Sequence, residues 1–542
     1  MSTRYRTLLP YAPYLLLALA VMAPLLAPGF VLTMDMVFTP VLHMPNHVDN
    51  TWLFYSALHI LNVVIPADVL EKTMLFGGFL LSGIGAHRLL AALRSERHWN
   101  KAIYAGSVLY QINPFVYDRL MAGQYGVLLG YALLPWIALS LWRFAKEPSR
   151  QRVLVLALLV SATSIVSIHS LGFVAVLAAV AAIACLRDRQ KLKKFAAHGA
   201  LGLGFFLLAS SYWLVPAITG QGRIADSLST FTNAGRTAFT TVDVSGLTPL
   251  GSVLGLQGFW QETRGLYLLP SEGVGAWEWI QLAVIALVGV GVWRSWKRQR
   301  GLAMVASGVA AMSIVLALGV GGDWLAAHLP FFAGFREPQK FVALLCLTYA
   351  YFATWAATWL LERLHGRWMQ AAAVGLALLP LAYTPTMLWG AYGQLRPVAY
   401  PADWPVANRT LDAQIGAGKV LILPWHLYMS FGFTNRIIAS PASSFYDRAV
   451  MASDDPELAG VASQTHDRTR EAITRLLAAD DRAGLASRLQ ALGIGYILVN
   501  KELDYQDYDY LSDMPGAKLL QDSQTLRLYQ LTNDTMEQHE TH

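Results

Sequence analysis

The sequence predicts a polytopic α-helical membrane protein, with about 11 transmembrane helices and a C-terminal extracytoplasmic α/β domain. Three observations carry this prediction. Hydrophobic residues make up 55% of the 542-residue chain and charged residues only 14%, whereas a soluble chain carries about 25% charged residues. Apolar runs of about twenty residues, the length that crosses a hydrocarbon core, recur from Tyr11 to Trp389 and then stop. Between those runs, loops crowded with Lys and Arg alternate with loops that hold few.

The apolar runs place spans at 11–30, 68–92, 102–122, 124–142, 153–167, 169–185, 196–218, 276–293, 303–320, 339–361 and 370–390. The first follows a basic N-terminal flank and reads as an uncleaved signal anchor, because many further spans follow it. One set of loops carries Arg4, Arg6, Arg94, Arg97, Lys101, Arg143, Lys146, Arg150, Arg152, the Arg187–Lys194 cluster, Arg294, Lys297, Arg298, Arg300, Arg363 and Arg367. The opposite set carries Lys72, Arg119, Arg223, Arg236, Arg264, Arg336 and Lys340. The first set is roughly threefold richer, which makes its side cytoplasmic. An odd number of crossings then puts the N-terminus inside and the C-terminal domain outside the plasma (inner) membrane. Both flanks of 153–185 are basic, so that stretch crosses twice and turns near Ser167–Ser170.

Residues 1–395 form the transmembrane domain in this reading, with outer-face loops at 31–67, 219–275 and 321–338, and 396–542 form the outer domain. Residues 46–64 suit an amphipathic helix in the interface, with Trp52, Tyr55 and Leu58 on its apolar face. Loop 219–275, rich in Gly, Ser and Thr, is too polar to span and is expected to cover the outer mouth of the bundle. After 396 the pattern shifts to short strand-like runs at 419–423, 495–499 and 526–530, with a helical stretch at 465–492. The net charge of +6 is explained by orientation and does not call for nucleic acid. Cys185 and Cys346, both within apolar runs, make neither a disulfide framework nor a zinc site. The chain has no nucleotide-binding loop, no GxSxG elbow and no HExxH.

Ionisable groups are costly at a bilayer, so those on the outer face are the first candidates for chemistry. Asp35 follows the first span directly, in a stretch otherwise without formal charge from Thr7 to His43. Partial desolvation there would raise its pKa and suit it to general-base work; the plainer alternative is a helix-capping Asp. His43, His47 and Asp49 lie close by, and His47 with Asp49 are the candidate metal ligands. Pro45 interrupts a common helix and favours interfacial residues instead. Asn113-Pro114 breaks the third span, and Asp118 and Arg119 follow at its outer end. Arg119 is suited to bidentate contact with a phosphate, or it pairs with Asp118 to fix the loop. Arg336 and Lys340 flank Glu337 before the tenth span and form a second anion-binding candidate against the positive-inside trend. His169 at the predicted outer turn is a candidate ligand contact or a structural residue. His426, in Leu423-Pro424-Trp425-His426, ends a strand beside an aromatic that suits sugar stacking or packing.

Together the carboxylate after the first span, the interfacial helix, the many spans and the outer C-terminal domain resemble the GT-C glycosyltransferase superfamily. Tyr110–Gln124, Leu129–Trp136, Phe335–Phe341 and Leu423–His426 are similar to the membrane domain of α-(1→3)-arabinofuranosyltransferases and to YfhO-like proteins. The resemblance covers nearly the whole chain in layout. It implies a GT-C-like fold and transfer of a sugar from a polyprenyl-phosphate-linked donor to a glycan, lipid or protein acceptor in envelope glycan or glycoconjugate synthesis. It implies Asp35 as general base. Arg119, Arg336 and Lys340 would hold the donor phosphate, and Asp49, Asp118, His169 and Glu337 would lie on the acceptor side or support those residues. The family's second acidic residue has its nearest counterpart in Asp49, which leaves a divalent metal open. Two other readings use the same features. A transporter or flippase of lipid-linked saccharide would place polar or broken helices at mid-membrane within internal repeats, and no clear repeat is visible. A non-catalytic envelope-assembly scaffold would need no cavity at its outer-face carboxylates.

Overall fold

The computed structural model describes residues 8–532 except 95–99, 187, 222–223, 226–232, 245, 247, 330, 459–466, 480–481 and 483. Arg4, Arg6, Arg97, Arg187, Arg223 and parts of the 465–492 stretch therefore lie outside the described residues.

Helices form where the apolar runs lie. In chain order they are α1 (Ala12–Met22), α2 (Trp52–Asn62), α3 (Ala67–Arg94), α4 (Lys101–Gln111), α5 (Pro114–Met121), α6 (Tyr125–Lys146), α7 (Arg150–Val166), α8 (His169–Cys185), α9 (Arg189–Ala209), α10 (Trp277–Arg298), α11 (Arg300–Ala317), α12 (Val342–Leu361) and α13 (Gly366–Tyr383). Among the described residues, seven helices are long and apolar enough to cross a membrane, or eight if α13 and the segment after its 74° bend count as one broken span. The predicted spans at 102–122, 153–167 and 169–185 are present as the pair α4–α5, as α7 and as α8, each helix shorter than those seven.

The chain divides into two compact units. The first comprises residues 1–27, 44–58 and 72–396. Its core is α12, which is buried along its apolar length and packed against α4, α10, α11 and α13. Glycines allow the closest approaches, because an added Cβ at Gly106 of α4 would strike the Ala350 carbonyl and one at Gly291 of α10 the Phe352 carbonyl. Small residues at such contacts are how helices associate where lipid removes the hydrophobic drive. Some of the polar groups inside this unit pair with one another. Tyr14 Oη lies 2.7 Å from His87 Nδ1 and 2.5 Å from Ser107 Oγ. The α4–α5 break is local chemistry: Pro114 occupies the first turn of α5, and the Asn113 side chain accepts from Val116 N at 3.1 Å while donating to the Leu109 and Tyr110 carbonyls.

The second unit comprises residues 28–43, 59–71 and 397–542. Five strands, β1 (Lys419–Leu423), β4 (Val450–Met451), β5 (Ile494–Asn500), β6 (Ala517–Asp522) and β7 (Leu526–Leu531), form one sheet in the order β4-β1-β5-β7-β6, parallel across β4-β1-β5 and antiparallel beyond. Strands β2 (Tyr428–Phe431) and β3 (Arg436–Ala439) make a separate hairpin. The expected helical stretch resolves into α15 (Arg468–Ala478) and α16 (Leu485–Ala491), after a helix α14 (Asp403–Asp412). Ile473, Leu485 and Leu489 pack on Leu421, Ile497 and Tyr529 to make the core of this unit.

The predicted interfacial helix starts later than expected. It begins at Trp52 instead of Asn46, because the Asp49 carboxylate accepts from both Thr51 N (2.8 Å) and Thr51 Oγ1 (2.7 Å) and turns the chain just before the first helical residue.

Candidate functional site

Asp35 is presented on a tight turn in the second unit. Thr33 and Met36 exchange backbone hydrogen bonds (3.1 and 2.8 Å), so Met34 and Asp35 form the two-residue tip of a miniature hairpin. Met34 takes φ +41°, a conformation that costs energy for a side chain of its size and is kept where the surroundings impose it. The surroundings do so here. Met34 bonds β3 through Ile437 O (3.2 Å) and Ala439 N (2.9 Å), and Phe30 pairs with Val398 through two bonds of 2.7 and 2.9 Å. Asp68 accepts from Gly29 N at 3.1 Å and Glu71 from Val31 N at 3.0 Å. Met34 and Met36 are buried while Asp35 between them is exposed. Tyr428 Oη donates to Asp35 Oδ1 at 2.6 Å. A carboxylate so held keeps one direction in space and accepts a proton through its remaining lone pairs.

A second cluster lies in the first unit, at the head of α12. Arg119 on α5 is fully buried, its guanidinium 4.1 Å from the Phe259 ring centre and 5.2 Å from that of Phe115. Its Nη1 donates to Gln124 Oε1 (2.7 Å) and Glu337 Oε2 (3.0 Å), and its Nη2 donates to Gln339 Oε1. Asp118 is not its ion-pair partner. That carboxylate turns instead toward Tyr267 Oη, 3.5 Å away. Lys340 Nζ lies 3.5 Å from Glu337 and 3.2 Å from His169 Nε2, and the His169 ring stands edge-on to Phe335. Arg336, half-buried, lies over the Phe239 ring at 4.6 Å. Arg119, Glu337, Lys340 and His169 thus converge, although they come from α5, the segment before α12, and the start of α8.

The electrostatics follow from that crowding. Burial by itself pushes the Glu337 carboxyl up, but Lys340, Arg119 and Arg336 outweigh it and bring its pKa down to about 2. Glu337 is therefore a fixed anion among cations. Glu262, in the 219–275 loop, goes the other way: burial holds its carboxyl well above the ordinary range, although Gly258 N and Phe259 N donate to it at 2.6 and 2.5 Å.

The remaining candidates take separate places. Asp49 caps the turn before α2, and His47 is exposed. His43 lies 3.6 Å from Asp447. Among the described residues no three His, Cys, Asp or Glu side chains gather in a way that could hold a metal ion. His426 is bracketed by Glu457 and by Asp504 (3.2 Å). Burial lowers its pKa, but the two carboxylates outweigh burial and raise it.

Sequence reasoning missed Asp68, Glu71 and Tyr428, which hold the Asp35 segment, and Gln339 and Glu262 beside Arg119. Asp68 and Glu71 did leave a signal, as two acids in the first turn and a half of a mostly apolar span.

Comparison with known proteins agrees on the fold. Residues 53–234 match a family described as a 6-pyruvoyl-tetrahydropterin synthase related domain, a membrane protein. No curated protein sequence matches the chain. Among solved structures, the arabinofuranosyltransferase AftD from Mycobacteria superposes over 98% of this chain with a TM-score of 0.65 at 16% identity. The Archaeoglobus fulgidus oligosaccharyltransferase, tethered with an acceptor peptide, superposes over 98% with a TM-score of 0.54 at 11% identity. The chain spans 40% of the length of AftD and 74% of that of the oligosaccharyltransferase. The fold is therefore GT-C-like, a multi-pass membrane bundle with a C-terminal region that contains a sheet.

Proposed function

We propose that this protein is a membrane glycosyltransferase that moves a sugar from a polyprenyl-phosphate-linked donor to an acceptor hydroxyl or amide outside the cytoplasm. The observation that carries the reading is the presentation of Asp35, exposed at the tip of a strained two-residue turn and aimed by Tyr428. The GT-C-like fold supports it, since the two solved structures described above are named as glycosyl-transferring proteins.

In this account Asp35 takes the acceptor proton as the acceptor oxygen or nitrogen attacks the anomeric carbon. The carbon–oxygen bond to the lipid phosphate breaks, and its electron pair leaves on the phosphate. For the donor phosphate the proposed residues are Arg336 and Lys340 of the first unit, whose charges would stabilise it electrostatically. Arg119 is proposed to serve the same phosphate through them, as a positioning residue, because both its terminal nitrogens are already engaged. Asp118, His169 and Glu337 support this cluster, and Asp49 orders the entry to α2. The orientation proposed is N-terminus cytoplasmic and C-terminal domain outside, in the plasma membrane.

Retention of polyprenyl-phosphate-linked sugars by the purified protein tests the phosphate assignment. Arg336→Gln and Lys340→Gln should each weaken retention about tenfold, the scale of one charge-assisted contact. Unchanged retention in both variants would remove these residues from the donor site.

A further inference from the structure

We propose that a lateral groove between α1, α4 and α13 is a binding site for an anionic membrane phospholipid. The groove encloses about 500 Å³, within the range of cavities that hold whole ligands. An apolar cleft between α3 and α6, by contrast, has room for only about 20 Å³.

Its walls are helical stripes. Residues 13, 16 and 17 of α1, 101, 104 and 108 of α4, and 370, 373, 374, 377 and 378 of α13 all line it. Those spacings put each set on one helix face. Leu16, Val374 and Leu378 are 65%, 57% and 51% exposed, so the groove opens sideways to whatever surrounds the bundle. In a membrane protein that surrounding medium is acyl chain.

The polar lining is confined to one end. Lys101 and Gln370 open α4 and α13 respectively, and both are exposed. Among the described residues no carboxylate pairs with Lys101. An ammonium and an amide at the mouth of an apolar groove match a phosphate headgroup over alkyl chains. Lys101 starts α4, whereas Arg119 lies near the end of the helix that follows it. Ala102 of α4 packs with Ala357 near the end of α12, whereas Lys340 precedes its start, so the headgroup end of the groove and the Arg119–Lys340 cluster lie at opposite ends of α12, which favours a bilayer lipid over the sugar donor as the groove's occupant.

Native mass spectrometry of the full-length protein, released from detergent after incubation with phosphatidylglycerol or phosphatidylcholine, tests this. Phosphatidylglycerol should be retained about fivefold better, the scale of one Lys at an anionic lipid surface. Lys101→Gln, at an exposed position, should abolish that preference while leaving phosphatidylcholine retention unchanged. Leu378→Trp or Val374→Trp should lower retention of both lipids by filling the groove. Added inorganic phosphate should not compete, because the alkyl chains supply most of the binding. Equal retention of the two lipids, a preference that survives Lys101→Gln, competition by phosphate alone, or tryptophan variants that bind as the wild type would each overturn the proposal.

Discussion

At the scale of single residues, Glu337 is the centre of the charged cluster, since it is hydrogen-bonded or ion-paired to Arg119, Gln124 and Lys340 together. Its removal leaves two buried cations facing each other. Glu337→Gln should destabilise the protein by about 3–5 kcal/mol, the cost of breaking a buried pair from one side, measured as a drop in Tm in detergent. The pH dependence has a definite sign. A carboxyl held at about 2 in the folded state contributes stability at pH values above its unfolded value of about 4.3 and loses it as pH falls toward 2. Wild-type Tm should therefore fall on acidification through that window, and the fall should shrink in Glu337→Gln. A wild-type Tm flat across the window would remove the ionised Glu337 from the account. This pair was not legible in the sequence. Arg119 and Glu337 are 218 positions apart, whereas the neighbouring Asp118 offered a partner that helix geometry withholds, because adjacent residues on a helix point apart.

At the scale of elements, the sequence was far more readable. Hydropathy located most of the helices, although α9 runs Arg189–Ala209 where 196–218 was expected, and Asn113-Pro114 marked the α4–α5 break through an N-cap and a residue without an N–H. The start of α2 was misread because Pro45 signals a helix start, but the Asp49–Thr51 turn intervenes. Packing also has a local signature in glycine. Gly291→Leu on α10 would drive a side chain into the Phe352 carbonyl of α12 and should cost at least about 1–3 kcal/mol. Gly375→Ala on α13, where an added Cβ meets nothing within 4 Å, should be neutral or stabilise by up to about 1 kcal/mol. Thermal unfolding of the two variants side by side checks this, and equal melting temperatures would refute the close α10–α12 contact.

At the scale of the whole molecule, the second unit is built from chain segments far apart in sequence. Tyr428 and Asp35 are 393 positions apart, and Met34 bonds to β3 as a strand would. Periodicity announced the strands β1, β5 and β7, because each alternates or runs apolar within itself. It could not announce which of them the Asp35 segment would join, since that depends on pairing between distant chains. Asp35 was singled out from the cost of a lone charge beside a span, and the residues that hold its segment, Asp68, Glu71 and Tyr428, emerge only from the folded chain. The central claim is that this carboxylate accepts the proton in glycosyl transfer. Purified protein given polyprenyl-phosphate-linked sugars, pentofuranose included, and a hydroxyl acceptor should form the glycosylated product. Asp35→Asn should lower that rate by about 10²–10⁴-fold, the usual contribution of a general base, with Tm unchanged. Wild-type transfer by a folded Asp35→Asn protein would contradict the account.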